Sequence, residues 1–398
     1  MQLSHSIPYD GLISIANYVW DGARNTKNQS QHYFPAAWGG VTDQPVLIVN
    51  LFPPQMALAH PNQGWRFRPG LHQAISKNVH VLNIWQHDWR ESSHLGHPLP
   101  VTAAICRIRA ATRILEMTQP VLLISEPAHG ALIGKCGERW SLWYCTDDFA
   151  AGDTRRTYSI QQNEHRLLPI VDLVLAVSPT LEEKCRPHAR EVLLVPNAVD
   201  ADELRGFAVE TSSVAGWPPG GIQYPCVVYL GSLNERIDYP NLLQAIRQCM
   251  EMTFVFIGPV AADAGSAPYA AALTELQAAP NTVFLGRRDR REIAWLLSQC
   301  DVGIIPYLAD DFNRNCSPLK VYEYSALGLP TIATPLPALQ ALHQHVSLAD
   351  PTQLAEALRT VQTDLPQWKM HAHALLAANT WQDRVRLVQQ KLHVMATS

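Results

Sequence analysis

Lys320 and Glu323 stand three residues apart in Asp311-Phe-Asn-Arg-Asn-Cys-Ser-Pro-Leu-Lys-Val-Tyr-Glu-Tyr-Ser-Ala-Leu-Gly-Leu-Pro-Thr-Ile-Ala-Thr334. On a helix that spacing puts both on one face. The flanking residues predict such a helix, exposed on that face: Ser317 as N-cap, Pro318 at the first position, Gly328 at the stop, and Pro330 barring continuation. Unpaired N–H groups near Ser317 and Leu319, with the positive dipole end, would attract phosphate, and Lys320 would add a point charge to the same anion. Glu323, one turn on, could accept from ribose hydroxyls. Together these residues outline a nucleotide diphosphate site. The plainer alternative is a surface helix carrying one Lys–Glu pair.

A second group is Gly231-Ser-Leu-Asn-Glu-Arg-Ile-Asp238, directly after an apolar run. Gly231 and Ser232 permit close backbone approach to a ligand, and Arg236 could grip a phosphate with two N–H groups. Neither GxGxxG nor GxxxxGK[ST] is present, so the residues support neither dinucleotide redox chemistry nor a P-loop. In the first half of the chain Glu126-Pro-Ala-His129-Gly and Thr146-Asp147-Asp148 also follow apolar runs. His94/His97, His343/His345 and His371/His373 lack the acidic or cysteine partners of a zinc pattern, and no metal is expected. Trp65, Arg66, Arg68, Trp85, His87 and Trp89 interleave aromatic and cationic side chains that could bind sugar rings or a lipid diphosphate.

Strand-length apolar runs recur at 12–18, 46–51, 79–84, 121–125, 142–145, 173–177 and 192–195, with helical spacing between them at 101–116 and 163–170. The alternation predicts a parallel, doubly wound sheet. It restarts at 227–230, 254–257, 282–285, 302–306 and 331–334, with helices near 241–250, 270–278 and 290–299. The expected class is α/β: two doubly wound Rossmann-like domains facing across a cleft. Their expected bounds are 1–205 and 225–375, joined by a Gly/Pro-rich linker at 206–224. The stretch 376–398 is expected either to complete the second domain or to cross back to the first. In such sheets ligands sit beyond the carboxyl ends of strands, where the candidate residues fall.

A chain of 398 residues suits two domains, and 47% hydrophobic with 17% charged residues is a globular composition. A net charge of −4 gives no reason to expect nucleic acid as a partner. Eight cysteines without a Cys-x-x-Cys pair read as reduced thiols, which favours a cytoplasmic setting. The opening Met1-Gln-Leu-Ser-His-Ser does not begin a basic and then apolar leader, so neither export nor a membrane span is expected.

Taken together, Tyr229–Asp238, Val283–Arg287, Cys300–Tyr307 and Ser317–Pro330, with Cys145–Asp148, Ala176–Ser178 and Val195–Asp200, resemble the GT-B glycosyltransferases. The resemblance is strongest to bacterial enzymes that build surface polysaccharides such as teichuronic acid and xanthan. It implies a nucleotide-sugar donor (UDP or GDP) held by the second domain as substrate, with no other cofactor. Arg236 and Lys320 would meet the diphosphate, Gly231, Ser232, Ser317 and the Leu319 region would cap it, Glu323 would hold the ribose, and Arg287 would lie near the base. On the acceptor side it implies Asp148, or its neighbour Asp147, as general base of an inverting transfer, and His129 as a donor contact. The acceptor would be a glycan or lipid-linked saccharide, with association at the inner face of a membrane. The chain departs from the family at Asn315, where the first glutamate of an E-x7-E motif usually stands, and it lacks a lysine soon after Arg236. Other readings are an epimerase or phosphorylase of the same shape, and a non-catalytic sugar-binding subunit.

Overall fold

A computed structural model describes the chain except for residues 1–8, 16–29, 53–68, 74–75, 77, 86–98, 153–156, 219–221, 223, 262–266 and 398. It divides into two compact units: residues 1–196 with 381–398, and residues 197–380.

The first unit is built on strands β1 (Leu12–Ile15), β2 (Val46–Phe52), β3 (Gly70–Gln73), β4 (Val79–Trp85), β5 (Val121–Ile124), β6 (Trp140–Cys145), β7 (Leu173–Ala176) and β8 (Val192–Leu194). Their order in the sheet is β3-β4-β2-β1-β5-β6-β7-β8. All pairings are parallel except β3 against β4. The central strands are buried along their length, which is why they read as continuous apolar runs rather than alternating ones. β3 has no such run, being a four-residue edge strand, so nothing in its sequence announced it. The Ser30–Thr42 helix was equally silent, because Pro35, Gly39 and Gly40 argue against a helix. Packing overrides propensity there: Phe34 and Trp38 are fully buried, and their rings lie against Tyr144 and Tyr9 respectively.

The C-terminal helix Trp381–Thr397 belongs to this first unit. It packs on Ser30–Thr42, while Arg384 Nε donates to the Pro196 carbonyl at 2.8 Å and Lys391 pairs with Glu191 at 2.8 Å.

The second unit carries β9 (Cys226–Leu230), β10 (Thr253–Ile257), β11 (Thr282–Gly286), β12 (Val302–Ile305), β13 (Thr331–Ala333) and β14 (Ser347–Leu348) in the order β11-β10-β9-β12-β13-β14. Every pairing in this sheet is parallel. The stretch read as a linker lies inside this unit rather than ahead of it. Leu204, on the Ala201–Glu210 helix, and Val214 are both buried in its core. Polar and turn-forming residues at 211–218 mark a surface crossing, and a sequence cannot distinguish that from a boundary between units.

At the carboxyl ends of β9 and β10 two backbones come unusually close. Gly231 N donates to the Ile257 carbonyl at 2.9 Å, and Gly258 N donates to that of Gly286 at 2.9 Å. A Cβ on Gly258 would lie 2.1 Å from the Gly231 carbonyl oxygen, and its φ of +148° is itself unfavourable for other residues. Gly258→Ala is therefore expected to destabilise the protein by about 2–4 kcal/mol in urea unfolding. Gly206→Ala, at a helical position with open space around the new methyl, is expected to gain roughly 0.4–1 kcal/mol.

Candidate functional site

In the second unit the side chains assemble around Tyr307, which follows β12. Arg236, in the loop after β9, has its guanidinium 4.8 Å from the Tyr307 ring and 4.7 Å from the Phe312 ring. Its Nε donates to Asn313 Oδ1 at 2.8 Å, and a second nitrogen lies 3.1 Å from Cys316 Sγ. Asn313 is completely buried and in turn donates to the carbonyls of Arg236 and Leu308. Arg236 is thus held by two aromatic faces and one amide, which orders a side chain that would otherwise carry about 2 kcal/mol of rotamer entropy.

Lys320 approaches the same ring. Its ammonium donates to the Tyr307 hydroxyl and sits 4.9 Å from the Tyr307 ring and 5.3 Å from that of Tyr229. Gly231 makes this possible, because a Cβ there would meet Lys320 Cε at 2.8 Å. Burial alone would raise the Tyr307 phenol, yet Lys320 and Arg236 outweigh it and bring it below its ordinary 10.0. Sequence reasoning had quoted Tyr307 without giving it a role. An apolar run ending in Pro-Tyr does not reveal that two cations converge on the ring.

Two expectations for the Leu319–Ala326 helix are corrected. Its N-cap is Pro318, not Ser317. Ser317 instead faces Asn197: its hydroxyl accepts from Asn197 N at 3.3 Å, and its carbonyl accepts from Asn197 Nδ2 at 2.6 Å. Tertiary contacts to a residue 120 positions away displaced the local cap. Nor is Glu323 on an exposed face: it is 4% exposed, and its Oε1 lies 3.0 Å from Arg290 Nη1. Residues 321–326 of the helix are all buried, so the carboxylate among them needs a charged partner. Leu319 and Lys320 open the helix half-buried, Ser232 is exposed after β9, and Arg287 is exposed at the end of β11. Asn315 caps the Asp311–Arg314 turn and donates to the Asp311 carbonyl.

In the first unit, Asp147 and Asp148 follow β6, and His129 lies in a 3-10 turn, Pro127–Leu132, after the neighbouring strand β5. Both loops therefore leave the same end of the sheet. His129 is buried at 3% exposure, and Asp147 is half-buried. Asp148 Oδ1 accepts from Lys184 Nζ at 3.0 Å and from Ala151 N at 3.3 Å, and Lys184 also reaches Glu164 Oε2 at 3.2 Å. One ammonium thus serves two carboxylates. Burial raises the Glu164 carboxyl above 4.5, Lys184 lowers it only in part, and Asp148 adds to the rise. Lys184 itself is raised, because the two carboxylates outweigh its burial. The two shifts point opposite ways for the Lys184–Glu164 pair. Burial explains this: it outweighs the pull of the lysine on the Glu164 carboxyl, whereas the two carboxylates together outweigh the burial of the lysine. Among the described residues, Trp85 ends β4 with 43% exposure, whereas Trp65, Arg66, Arg68, His87 and Trp89 lie outside the described residues. No group of three or more metal-ligating side chains occurs among the described residues, and no helix among them is long and apolar enough to cross a membrane.

Residues 224–364 match the family of group 1 glycosyl transferases. Over 116 residues the chain is 28% identical to TuaH of Bacillus subtilis (strain 168), a protein assigned to teichuronic acid biosynthesis as a glycosyltransferase. That alignment spans 29% of this chain and 28% of the relative. Among solved structures, sucrose-phosphate synthase from Thermosynechococcus elongatus aligns with a TM-score of 0.69 at 16% identity, over 98% of this chain and 100% of that one. Anabaena HepE, in complex with UDP and glucose, aligns with a TM-score of 0.64 at 15% identity, over 98% and 100%. The fold is GT-B. The family match falls within the second unit.

Because the Glu164 proton is bound more tightly in the folded protein, the stability it contributes is full below pH 4.5 and is lost as pH rises through its elevated value. Lys184→Met removes the cation that limits this loss. It is expected to destabilise the protein at pH 7 by about 1–2 kcal/mol, discounted for the exposed part of the lysine, and by much less at pH 4. Thermal unfolding across that range measures it.

Proposed function

We propose that the protein transfers a sugar from a nucleotide diphosphate-sugar to a glycan or lipid-linked saccharide in polysaccharide synthesis. The observation that carries this reading is the convergence of Arg236 and Lys320 on Tyr307, beside Gly231 and the N-terminus of the Leu319–Ala326 helix. Two cations and a set of helix-end amides suit a diphosphate, the leaving group of such a transfer, whose developing charge they would stabilise. Ser232, Ser317 and Leu319 would border the diphosphate, Glu323 would accept from the ribose, Arg287 would lie towards the base, and Asn315 towards the sugar. HepE, of the same fold, was solved with UDP and glucose, so UDP is the first nucleotide to test. The similarity to TuaH supports a surface polysaccharide as product. The absence of a disulfide among the described residues, which include all eight cysteines, supports a cytoplasmic setting, at the inner face of a membrane where lipid-linked acceptors would be met.

Lys320→Ala is expected to weaken UDP binding about tenfold or more, since a hydrogen bond to a charged group contributes ~1.5–3 kcal/mol. Calorimetric titration, with thermal unfolding to confirm the fold, tests this. Binding as tight as that of the parent would refute the donor site.

On the acceptor side Asp148 is the proposed base, with Asp147 and then His129 as further candidates. Asp148→Asn is expected to lower kcat by roughly 10²–10⁴-fold while UDP affinity stays unchanged, with the product anomer inverted. The ion pair with Lys184 favours a second reading, in which Asp148 orders its loop and the transfer retains configuration. NMR of the product anomer separates the two, and a retained configuration removes Asp148 from the role of base.

A further inference from the structure

We propose that Arg290 is a positioning residue that orients Glu323 to receive the ribose hydroxyls of the donor, an inference that rests on the donor site described above. Arg290 opens the helix Arg290–Ser298, immediately after the turn at Gly286–Arg288. Its backbone is anchored by a capping box, in which Asp289 Oδ1 accepts from Glu292 N at 2.8 Å and Glu292 Oε2 accepts from Asp289 N at 3.0 Å. From that fixed point the guanidinium divides between two acids on different helices: Nε lies 3.0 Å from Glu203 Oε2, and Nη1 lies 3.0 Å from Glu323 Oε1. The three side chains are 10%, 24% and 6% exposed in the order arginine, Glu203, Glu323.

The planar fork of arginine matters here, because it sets the direction of each carboxylate as well as its distance. A carboxylate accepts at both oxygens. With Oε1 taken by Nη1, a ribose hydroxyl would be met by Oε2. Glu203 completes the arrangement by preventing the guanidinium from swinging onto Glu323 with both nitrogens. The Ala201–Glu210 helix that carries Glu203 also reaches the far end of the Leu319–Ala326 helix, where Arg205 Nε donates to the Ala326 carbonyl at 2.9 Å. The helix bearing Glu323 is therefore held at its C-terminal end and, through Arg290, at the carboxylate itself.

A ribose-directed role separates from a merely structural one by which ligand the variant misjudges. UDP and 2′,3′-dideoxyuridine diphosphate are titrated against the parent, Glu323→Gln, Arg290→Met and Arg290→Lys. The parent is expected to prefer UDP about tenfold, the worth of one charge-assisted hydrogen bond. Glu323→Gln and Arg290→Met are both expected to reduce that preference below about twofold. Arg290→Lys, which keeps one charge but not the fork, should fall between, and it decides the matter if Arg290→Met does not fold. If both Arg290 variants keep the tenfold preference while Glu323→Gln loses it, the proposal for Arg290 is overturned and the donor site stands. If the parent binds neither nucleotide, the donor-site reading fails and the Arg290 proposal fails with it; if it binds both equally, the Arg290 proposal and the ribose role of Glu323 fail while the diphosphate site stands.

Discussion

The backbone contact between Gly231 and Gly258 constrains everything that follows in the second unit. Parallel pairing brings the carboxyl ends of β9 and β10 side by side, and the two chains turn away at the same level only because Gly258 carries no Cβ into the gap. A methyl on Gly258 would strike a carbonyl oxygen, which cannot yield as a flexible side chain could. The same absence at Gly231 leaves the volume that the end of Lys320 occupies. Sheet geometry and the placement of a cation are thus consequences of one close approach.

Around that point the unit solves a recurring problem, the burial of positive charge. Arg236, Lys320 and Arg290 are each drawn out of bulk water, and each is compensated differently: the first by two rings and an amide, the second by a phenol, the third by two carboxylates. A cation left without such partners would have cost several kcal/mol. Rings and a phenol interact with cations more weakly than carboxylates do, which on the proposed function leaves Lys320 able to meet a stronger anion. Arg290, shared between two acids, is not. This difference in compensation separates a cation suited to binding a ligand from one suited to holding a side chain.

The first unit applies the same logic with the signs reversed. Lys184 compensates Asp148 and Glu164 together, and burial still leaves Glu164 with a raised carboxyl. The cluster ties the loop after β6 to two helices, Thr157–Leu167 and Pro179–Cys185. Asp148 is therefore part of the local framework whatever its chemical role.

The sequence by itself determined the alternation of buried strands and helices, and hence two parallel sheets, because a strand covered on both faces must be apolar throughout. It also determined that Gly231, Arg236 and Asp148 would fall on loops after strands and Lys320 in the first turn of a helix. What it could not determine was which partners those residues would meet. Ser317 looked like a cap and became a partner of Asn197, while Glu323 looked like a surface acid and became the buried partner of Arg290. Tyr307 looked like the end of a strand and became the centre of the site. Local signals report the hydrogen bonds a residue can make with its near neighbours. The choice among competing partners was decided by residues 13 to 120 positions away, which only the packing of the helices on the sheet brings within reach.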